Sequence, residues 1–382
     1  MSRQLAAVLL VAAGQLLIAP RAHGGTLYVA NDGIDPPGCV PPVCIVGHPC
    51  RCGAKASPCR SIACGIMSAA AGDTIVVGPG LYGDLNHDGT LGDLPGEENP
   101  DVFSPGCGCV LALNKPVSVE SSNGAAATII DGQSVDVGTN VLLITGLAGG
   151  GEFGKPGKGF TVTNTGSQSG TGIMIDATNV TVAGNQVVSS MFLSEIGIAT
   201  VNADETVRIE GNQVIGWGNT GILTQGAGKT IRGNQVSKSC GRGIEALGTS
   251  VVVGNVASGN GFVGGAFVTG AGGSCHGIGS SGIAVGAPGT VVLGNAAYGN
   301  DTGIEVGSAF AGTIGKNNLV GNDMCGLRNE GVVGLQAPNN YWGAATGPGA
   351  APADDICNEN NGTTTVTPFA TKPFTVKAPI KP

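Results

Sequence analysis

Val180-Thr-Val-Ala-Gly-Asn185 decides the fold, because the chain repeats it four times: Val207-Arg-Ile-Glu-Gly-Asn212, Thr230-Ile-Arg-Gly-Asn234, Val251-Val-Val-Gly-Asn255 and Val291-Val-Leu-Gly-Asn295. Asn317-Asn318 is a weaker sixth copy. Each copy is a short β-branched run with the two-residue alternation of a strand. Each closes on Gly and Asn, the residues most tolerant of the positive φ that a sharp turn demands.

A second phrase interleaves with the first. Gly172-Ile173, Gly197-Ile198, Gly221-Ile222, Gly243-Ile244, Gly282-Ile283, Gly303-Ile304 and Gly326-Leu327 follow one another at steps of 25, 24, 22, 39, 21 and 23 residues. Two phrases in constant order and nearly constant period define a repeat protein. A strand–turn–strand unit of about 22 residues cannot bury its own apolar face, so successive units must stack, about 4.8 Å apart. The expected architecture is an all-β parallel β-helix. Stacking superimposes the closing Asn of each copy, so Asn185, Asn212, Asn234 and Asn255 are predicted to form one inward column. Each amide in it donates to one neighbour and accepts from the other. These Asn are structural and carry no chemistry.

The 39-residue step interrupts the rhythm. It contains Gly261-Phe-Val-Gly-Gly-Ala-Phe-Val-Thr-Gly-Ala-Gly-Gly-Ser-Cys-His276. Either one coil carries an extra loop here, or one of two coils lacks the Gly-Ile phrase.

Composition agrees with such a stack. Gly is 69 of 382 residues and aromatics are 4%, so close packing of small and β-branched side chains must replace an aromatic core. Arg3, the apolar run Leu5–Ala19 and the small residues around Ala22-His23-Gly24 read as a signal peptide cleaved before Gly25. The mature chain is then expected to be secreted, periplasmic or cell-surface, with no membrane span after cleavage. Removing residues 1–24 takes away Arg3 and Arg21 and no acid, moving the net charge from −8 to −10. An acidic chain with 12% charged residues repels phosphate backbones, which excludes nucleic acid as a partner. Twelve Cys behind an export signal read as disulfides, although Cys50-Arg-Cys52 and Cys107-Gly-Cys109 also admit a metal reading. The expectation is that the cap Cys pair among themselves, Cys240 with Cys275, and Cys325 with Cys357.

Ser57-Pro-Cys-Arg-Ser-Ile-Ala-Cys-Gly-Ile66, followed by Gly72-Asp-Thr-Ile-Val-Val-Gly-Pro-Gly-Leu-Tyr82, resembles the opening of the pectate-lyase-like parallel β-helix proteins, a short capping helix and then a first strand. Asn339-Asn-Tyr-Trp-Gly343, Thr346-Gly-Pro348 and Pro368-Phe369 resemble their usual ending. The resemblance covers the mature chain and implies a right-handed, single-stranded parallel β-helix. It implies no activity, since the superfamily holds lyases, hydrolases, epimerases, adhesins and tailspikes. The organisation read from it is a signal peptide over 1–24, a Cys-rich N-terminal cap over 25–110, the β-helix over 111–345, and a C-terminal cap and tail over 346–382. Cys275-His-Gly277 is similar to the Gly-His-Gly of polygalacturonases, but the companion motifs of that family are not in order, and Asp354-Asp355 falls in the C-terminal cap.

Two constellations carry candidate chemistry. Asp84-Leu-Asn86-His-Asp88-Gly89-Thr90-Leu-Gly-Asp93 follows the first half of an EF-hand-type loop, with oxygen ligands at alternate positions before Gly. Asp84, Asn86, Asp88, Thr90 (through its carbonyl) and Asp93 are the candidate ligands of a structural Ca²⁺. Pro95 stands at the twelfth position, so Glu97 or Glu98 would have to close the shell. The competing reading is an Asx-rich turn.

The other constellation comes from the residue after each Ile: Met174, Ala199, Leu223, Glu245, Ala284, Glu305 and Arg328 should form an exposed outward column. Arg242 and Asp301 lie at its flanking turns, and His276 and Asp323 in neighbouring loops. Glycan hydrolysis needs two carboxylates, and lyase chemistry a base with a charge-neutralising partner. If the long step is one coil, Glu245 and Glu305 are two rungs, about 9.6 Å, apart at the backbone, near the upper limit for an inverting pair. Glu245, Glu305, Arg242 and Asp301 are therefore the candidate catalytic residues. Against this, Glu305 and Arg328 on adjacent rungs also read as a surface ion pair. Trp217 and Tyr298 either stack on sugar rings or pack at turns. With no complete catalytic set, the reading is a non-catalytic glycan-associated or cell-surface protein with a polysaccharide partner. A polysaccharide-processing hydrolase, lyase or epimerase at Glu245/Glu305 is the alternative.

Overall fold

The computed structural model describes residues 24–34, 52–88, 90–99, 106–132, 140–145, 150–163, 170–189, 196–201, 206–261 and 280–376. Among them, three parallel sheets of ten, ten and nine strands run side by side, and successive coils contribute a strand to each. One coil shows the plan: Thr220–Thr224 carries the Gly-Ile phrase, Lys229–Arg232 the β-branched phrase, and Gln235–Ser237 a third strand before Ile244–Ala246 begins the next coil. The chain is a right-handed parallel β-helix.

The third strand corrects the two-strand unit read from sequence. It is three residues long and follows each Gly-Asn, as in Gln186–Val188 and Gln213–Ile215. Only its middle residue, Val187 or Val214, is fully buried, so the run is too short to display an alternation. At one level Ile222, Ile231 and Val236 bring the three sheets together in the bore, each with no exposed surface.

The Asn column forms as expected and runs further, from Asn185 through Asn212, Asn234, Asn255, Asn295 and Asn317 to Asn340, all fully buried. Asn212 Nδ2 donates to Asn234 Oδ1 at 3.0 Å, and the Asn212 backbone N–H donates to the same oxygen at 2.9 Å. The second Nδ2 hydrogen goes to a strand carbonyl of the coil before, Val182 O at 2.9 Å. Both amide hydrogens and both carbonyl lone pairs are thus used, which removes the desolvation cost of burying the group.

A second, shorter ladder stands at the next corner. Asn260 Nδ2 donates to Asn300 Oδ1 and Asn300 Nδ2 to Asn322 Oδ1, both at 3.0 Å. Asn322 Nδ2 then donates to the buried Asp354 carboxylate at 2.6 Å. The Gly of the Gly-Ile phrase is required by the next coil's backbone and, at this corner, by these Asn: a Cβ on Gly243 would lie 2.6 Å from Gly282 O and 2.7 Å from Asn260 Nδ2, and one on Gly282 2.9 Å from Gly303 O and 2.7 Å from Asn300 Nδ2. Two coils earlier the corner is filled by Trp217, fully buried, whose indole N–H donates to Val187 O at 3.2 Å. Trp217 is therefore a packing residue.

The stack begins within the Cys-rich segment. Thr26–Val29 and Thr74–Val77 are the first strands of the β-branched sheet, paired in parallel. The helix Ile62–Ser68 packs against them, with Ser61 Oγ accepting from Cys64 N at its start. The buried Glu98 carboxylate accepts from Ile62 N and Ala63 N at 2.7 Å each, and Lys115 Nζ donates to Met67 O and Ala69 O at the other end. At the far end Trp342 is fully buried.

Disulfides join Cys52 to Cys59 and Cys107 to Cys109 within the Cys-rich segment. Cys325–Cys357 ties two neighbouring strands of the Gly-Ile sheet, with Cα atoms 6.0 Å apart. The sulfurs of Cys52, Cys59 and Cys64 lie within 4.8 Å of one another, but all three are disulfide-bonded and offer no thiolate to a metal. Cys240 is also disulfide-bonded, while its expected partner Cys275 lies outside the described residues, as do residues 1–23, Cys39, Cys44, Cys50 and His276. Among the described residues no helix is long and apolar enough to cross a membrane.

Candidate functional site: the Gly-Ile face and the acidic loop

The sheet register places the outward column as the repeat requires. Met174 pairs with Ala199, Ala199 with Leu223, Leu223 with Glu245, Glu245 with Ala284, Ala284 with Glu305, and Glu305 with Arg328. Only Ala284 separates Glu245 from Glu305, so the 39-residue step is one coil with an inserted segment, whose residues 262–279 are outside the described set. The column points away from the bore but is not exposed. Ala199, Ala284 and Glu305 are buried, and the side chains of Glu245 and Glu305 keep 14% and 5% of their surface.

Arg242 organises this face. Its Nη1 donates to Glu245 Oε1 at 2.8 Å and its Nη2 to Glu305 Oε1 at 2.6 Å. The guanidinium thus lies over Ala284, whose single methyl leaves room for it. Glu245 Oε2 accepts from Thr220 Oγ1 at 3.4 Å. Glu305 Oε2, in contrast, is buried with no hydrogen-bond partner, as are Arg242 Nε and the hydroxyls of Ser281 and Thr302. Burial pushes the Glu305 carboxyl above its ordinary range, against the opposing pull of the Arg242 charge.

The other candidates of this face lie apart from the pair. Asp301 Oδ2 accepts from Ser280 Oγ at 3.0 Å at the turn before the strand. Arg328 does not pair with Glu305. Its Nη2 lies 2.9 Å from Glu359 Oε1, and its Nε 4.0 Å from Glu330 Oε1. Glu330 and Glu359 carry no repeat signal, since both lie beyond the last regular phrase. Tyr298 is exposed on the third sheet, not on this face.

The acidic loop brings several expected ligands together. Asn86 Nδ2 donates to Asp88 Oδ2 at 2.8 Å, and Thr90 N donates to Asp88 Oδ1 at 2.7 Å. Asp84 is buried and accepts from His87 N at 2.7 Å. Glu97, also buried, accepts from Leu85 N and Leu94 N. Asp93 is pushed up to about 6, first by its hydrogen bond with Glu97, then by desolvation and the charges of Glu97 and Asp88. Glu98, the other residue expected to close a shell, is committed to the helix start. The donor set of Asp84, Asn86, Asp88, Asp93 and Glu97 is all hard oxygen, which suits Ca²⁺.

No family model matches the chain, and no curated protein does. Solved structures do. A rhamnogalacturonan lyase is similar over 92% of this chain and 90% of its own, at 13% identity and a TM-score of 0.51. A pectate lyase is similar over 91% and 78%, at 14% identity and a TM-score of 0.49. The A-module of a mannuronan C-5 epimerase from Azotobacter vinelandii is similar over 80% and 89%, at 15% identity and a TM-score of 0.44. At such identities the likeness is one of fold alone, that of a parallel β-helix.

Proposed function

We propose that this protein is an exported β-helix, acting outside the cell or at its surface, which associates with glycan through the Gly-Ile face without cleaving it. The observation that carries this reading is the Arg242 bridge. A hydrolase needs one carboxyl to protonate the leaving group and the other free to attack or activate water. Here one guanidinium holds an oxygen of each, and Glu305 is closed off from solvent. The same arrangement suits a binding surface in which one guanidinium offsets part of the charge of two carboxylates. The fold, shared with proteins named for acting on polysaccharide, supports glycan as the partner class. The test is retention of the protein on a panel of immobilised polysaccharides, scored beside the appearance of new chain ends. Retention without new ends supports the proposal, and new ends that vanish in Glu305→Gln overturn it in favour of a processing enzyme.

We further propose a structural Ca²⁺ in the loop of Asp84, Asn86, Asp88, Thr90 and Asp93, with Glu97 completing the oxygen set. The convergence of the Asp88, Asp93 and Glu97 carboxylates supports it, because like charges so close repel unless a proton or cation lies between them.

A further inference from the structure

Cys107 and Cys109 are joined across a single glycine. Among the described residues three disulfides have both ends placed, and they differ widely in reach: a sequence separation of 2 here, 7 at Cys52–Cys59 and 32 at Cys325–Cys357. A cross-link stabilises chiefly by restricting the unfolded chain, and that restriction grows with the length of loop closed. The Cys107–Cys109 ring therefore contributes the least of the three. Its neighbourhood is also held by other means. Cys109 opens the strand Cys109–Leu113, which pairs in register with Asn140–Ile144, and Asn140 N donates to Gly108 O at 2.8 Å. Val110, Leu111, Ala112 and Leu113 have no exposed surface. The strand behind the ring does not depend on the bond.

The two cysteines also differ in access. Cys109 is 3% exposed, whereas Cys107 is half-buried between two exposed glycines, Gly106 and Gly108. Both glycines are left-handed, at φ of +70° and +55°, and a Cβ on either would meet nothing within 4 Å. Neither flank puts a side chain beside Cys107, and Gly108 carries the sharp turn of the ring without steric cost. Cys52 and Cys59, in contrast, are both buried. Thiol–disulfide exchange needs one sulfur open to attack and a second that leaves, and accessible disulfides are the labile ones. We infer that Cys107–Cys109 is a thiol-exchange site that takes two electrons from a dithiol substrate. A substrate thiolate attacks Cys107 Sγ, the Sγ–Sγ bond breaks, and Cys109 leaves as a thiolate that takes up a proton. The second substrate thiolate then attacks the substrate sulfur of the mixed disulfide and expels Cys107 as a thiolate, which is protonated in turn. Two substrate thiols become one disulfide, and the protein disulfide becomes two thiols. The site shares no residue with the Gly-Ile face and stands apart from glycan association.

The experiment follows the full, oxidised chain in reduced glutathione at about pH 8, where the thiolate is populated. Samples are trapped by alkylation at intervals and mapped by mass spectrometry of their peptides. Cys107–Cys109 is expected to open at least about tenfold faster than Cys52–Cys59 or Cys325–Cys357, with glutathione on Cys107, the free thiol on Cys109 and an unchanged far-ultraviolet spectrum. In a second arm, without oxygen, a reduced peptide carrying two cysteines is mixed with wild type or with the Cys107→Ser, Cys109→Ser double variant. Wild type is expected to oxidise one equivalent of peptide per chain, and the double variant to leave it reduced. Opening no faster than at the other two disulfides overturns the inference, and so does opening that takes the native spectrum with it, the behaviour of a structural staple. Glutathione found on Cys109 overturns the direction of attack. A peptide left reduced by wild type, or oxidised equally by the double variant, overturns the exchange with dithiols. The first arm uses only wild type, so a failure of the variant to fold leaves the test in force.

Discussion

Arg242 Nη2 donates to Glu305 Oε1 across 2.6 Å, joining residues 63 apart in sequence and two rungs apart in the stack. The pair is partly shielded, with 31% and 5% of the side chains exposed. Removing one partner of such a pair leaves a poorly compensated charge, which costs more than a surface ion pair contributes. Arg242→Ala is expected to destabilise the chain by about 2–4 kcal/mol, and by less in a Glu305→Gln background. A double-mutant cycle in urea checks this.

The same carboxyl sets a pH dependence. Burial raises the Glu305 pKa above its unfolded value, so the folded state favours the protonated form. That contribution is fully present below the ordinary carboxylate range and is lost as pH rises through the folded pKa. Glu305→Gln cannot ionise and escapes this loss. The stability difference should therefore move in favour of the Gln variant between about pH 4 and 7. Melting curves of both proteins across that range measure it, and a difference that runs the other way contradicts the assignment.

The ladder makes a sharper stability prediction. Asn234 accepts from the Asn212 backbone and side chain and donates to Asn255 Oδ1 and Ile209 O. Asn234→Ala strands the Asn212 N–H and one hydrogen of its side-chain amide in a dry bore, while Asn255 Oδ1 keeps the backbone N–H of residue 234, so a loss of at least about 2 kcal/mol is expected, from about 1–3 kcal/mol for each stranded group. Exposed Lys372→Ala should cost a few tenths at most. Chemical denaturation of the two variants separates them.

Two glycines test the corner packing. A Cβ on Gly197 would stand 2.5 Å from Gly221 O, 2.6 Å from Val214 Cγ1 and 3.0 Å from Trp217 Nε1, whereas one on Gly211 meets nothing but carries a φ of +63°. Gly197→Ala is expected to cost about 1–3 kcal/mol through overpacking, and Gly211→Ala about 1–2 kcal/mol through backbone strain alone. Adding Trp217→Phe should relieve part of the first and none of the second, read from melting temperatures.

Much of this was legible in the repeats. The Gly-Ile phrase predicts the register of seven outward residues, Met174 to Arg328, and the Gly-Asn phrase predicts the buried ladder. The third strand was not legible, because Gln186–Val188 and its copies contain one inward residue each. The second ladder left a trace in Ser258-Gly-Asn260, Tyr298-Gly-Asn300 and Val320-Gly-Asn322, each five residues after a ladder Asn, but Gly-Asn there reads equally as a turn. Arg242 was legible as a neighbour of Glu245. Its reach to Glu305 depends on Ala284 being small, a coincidence of rungs that no linear spacing displays. The burial of the outward column was not legible at all, since strand alternation says which way a side chain points and nothing about what lies over it.

Calcium gives an independent test of the cap. An ion bound only by the folded loop stabilises by RT ln(1 + [L]/Kd), about 2.7 kcal/mol at a hundredfold excess over Kd. Chelator should lower the melting temperature, millimolar Ca²⁺ should restore it, and Asp88→Ala should abolish the difference. Melting indifferent to both additions would leave the loop an Asx-rich turn.

The central claim, that the Arg242-bridged carboxylates bind rather than cut, is tested most directly by mass spectrometry of oligosaccharides held with the protein for many hours. The account predicts every glycan recovered at its starting length and mass, for wild type and for the Glu245→Gln, Glu305→Gln double variant alike. Shortened or unsaturated products that form with wild type and not with the double variant would contradict it.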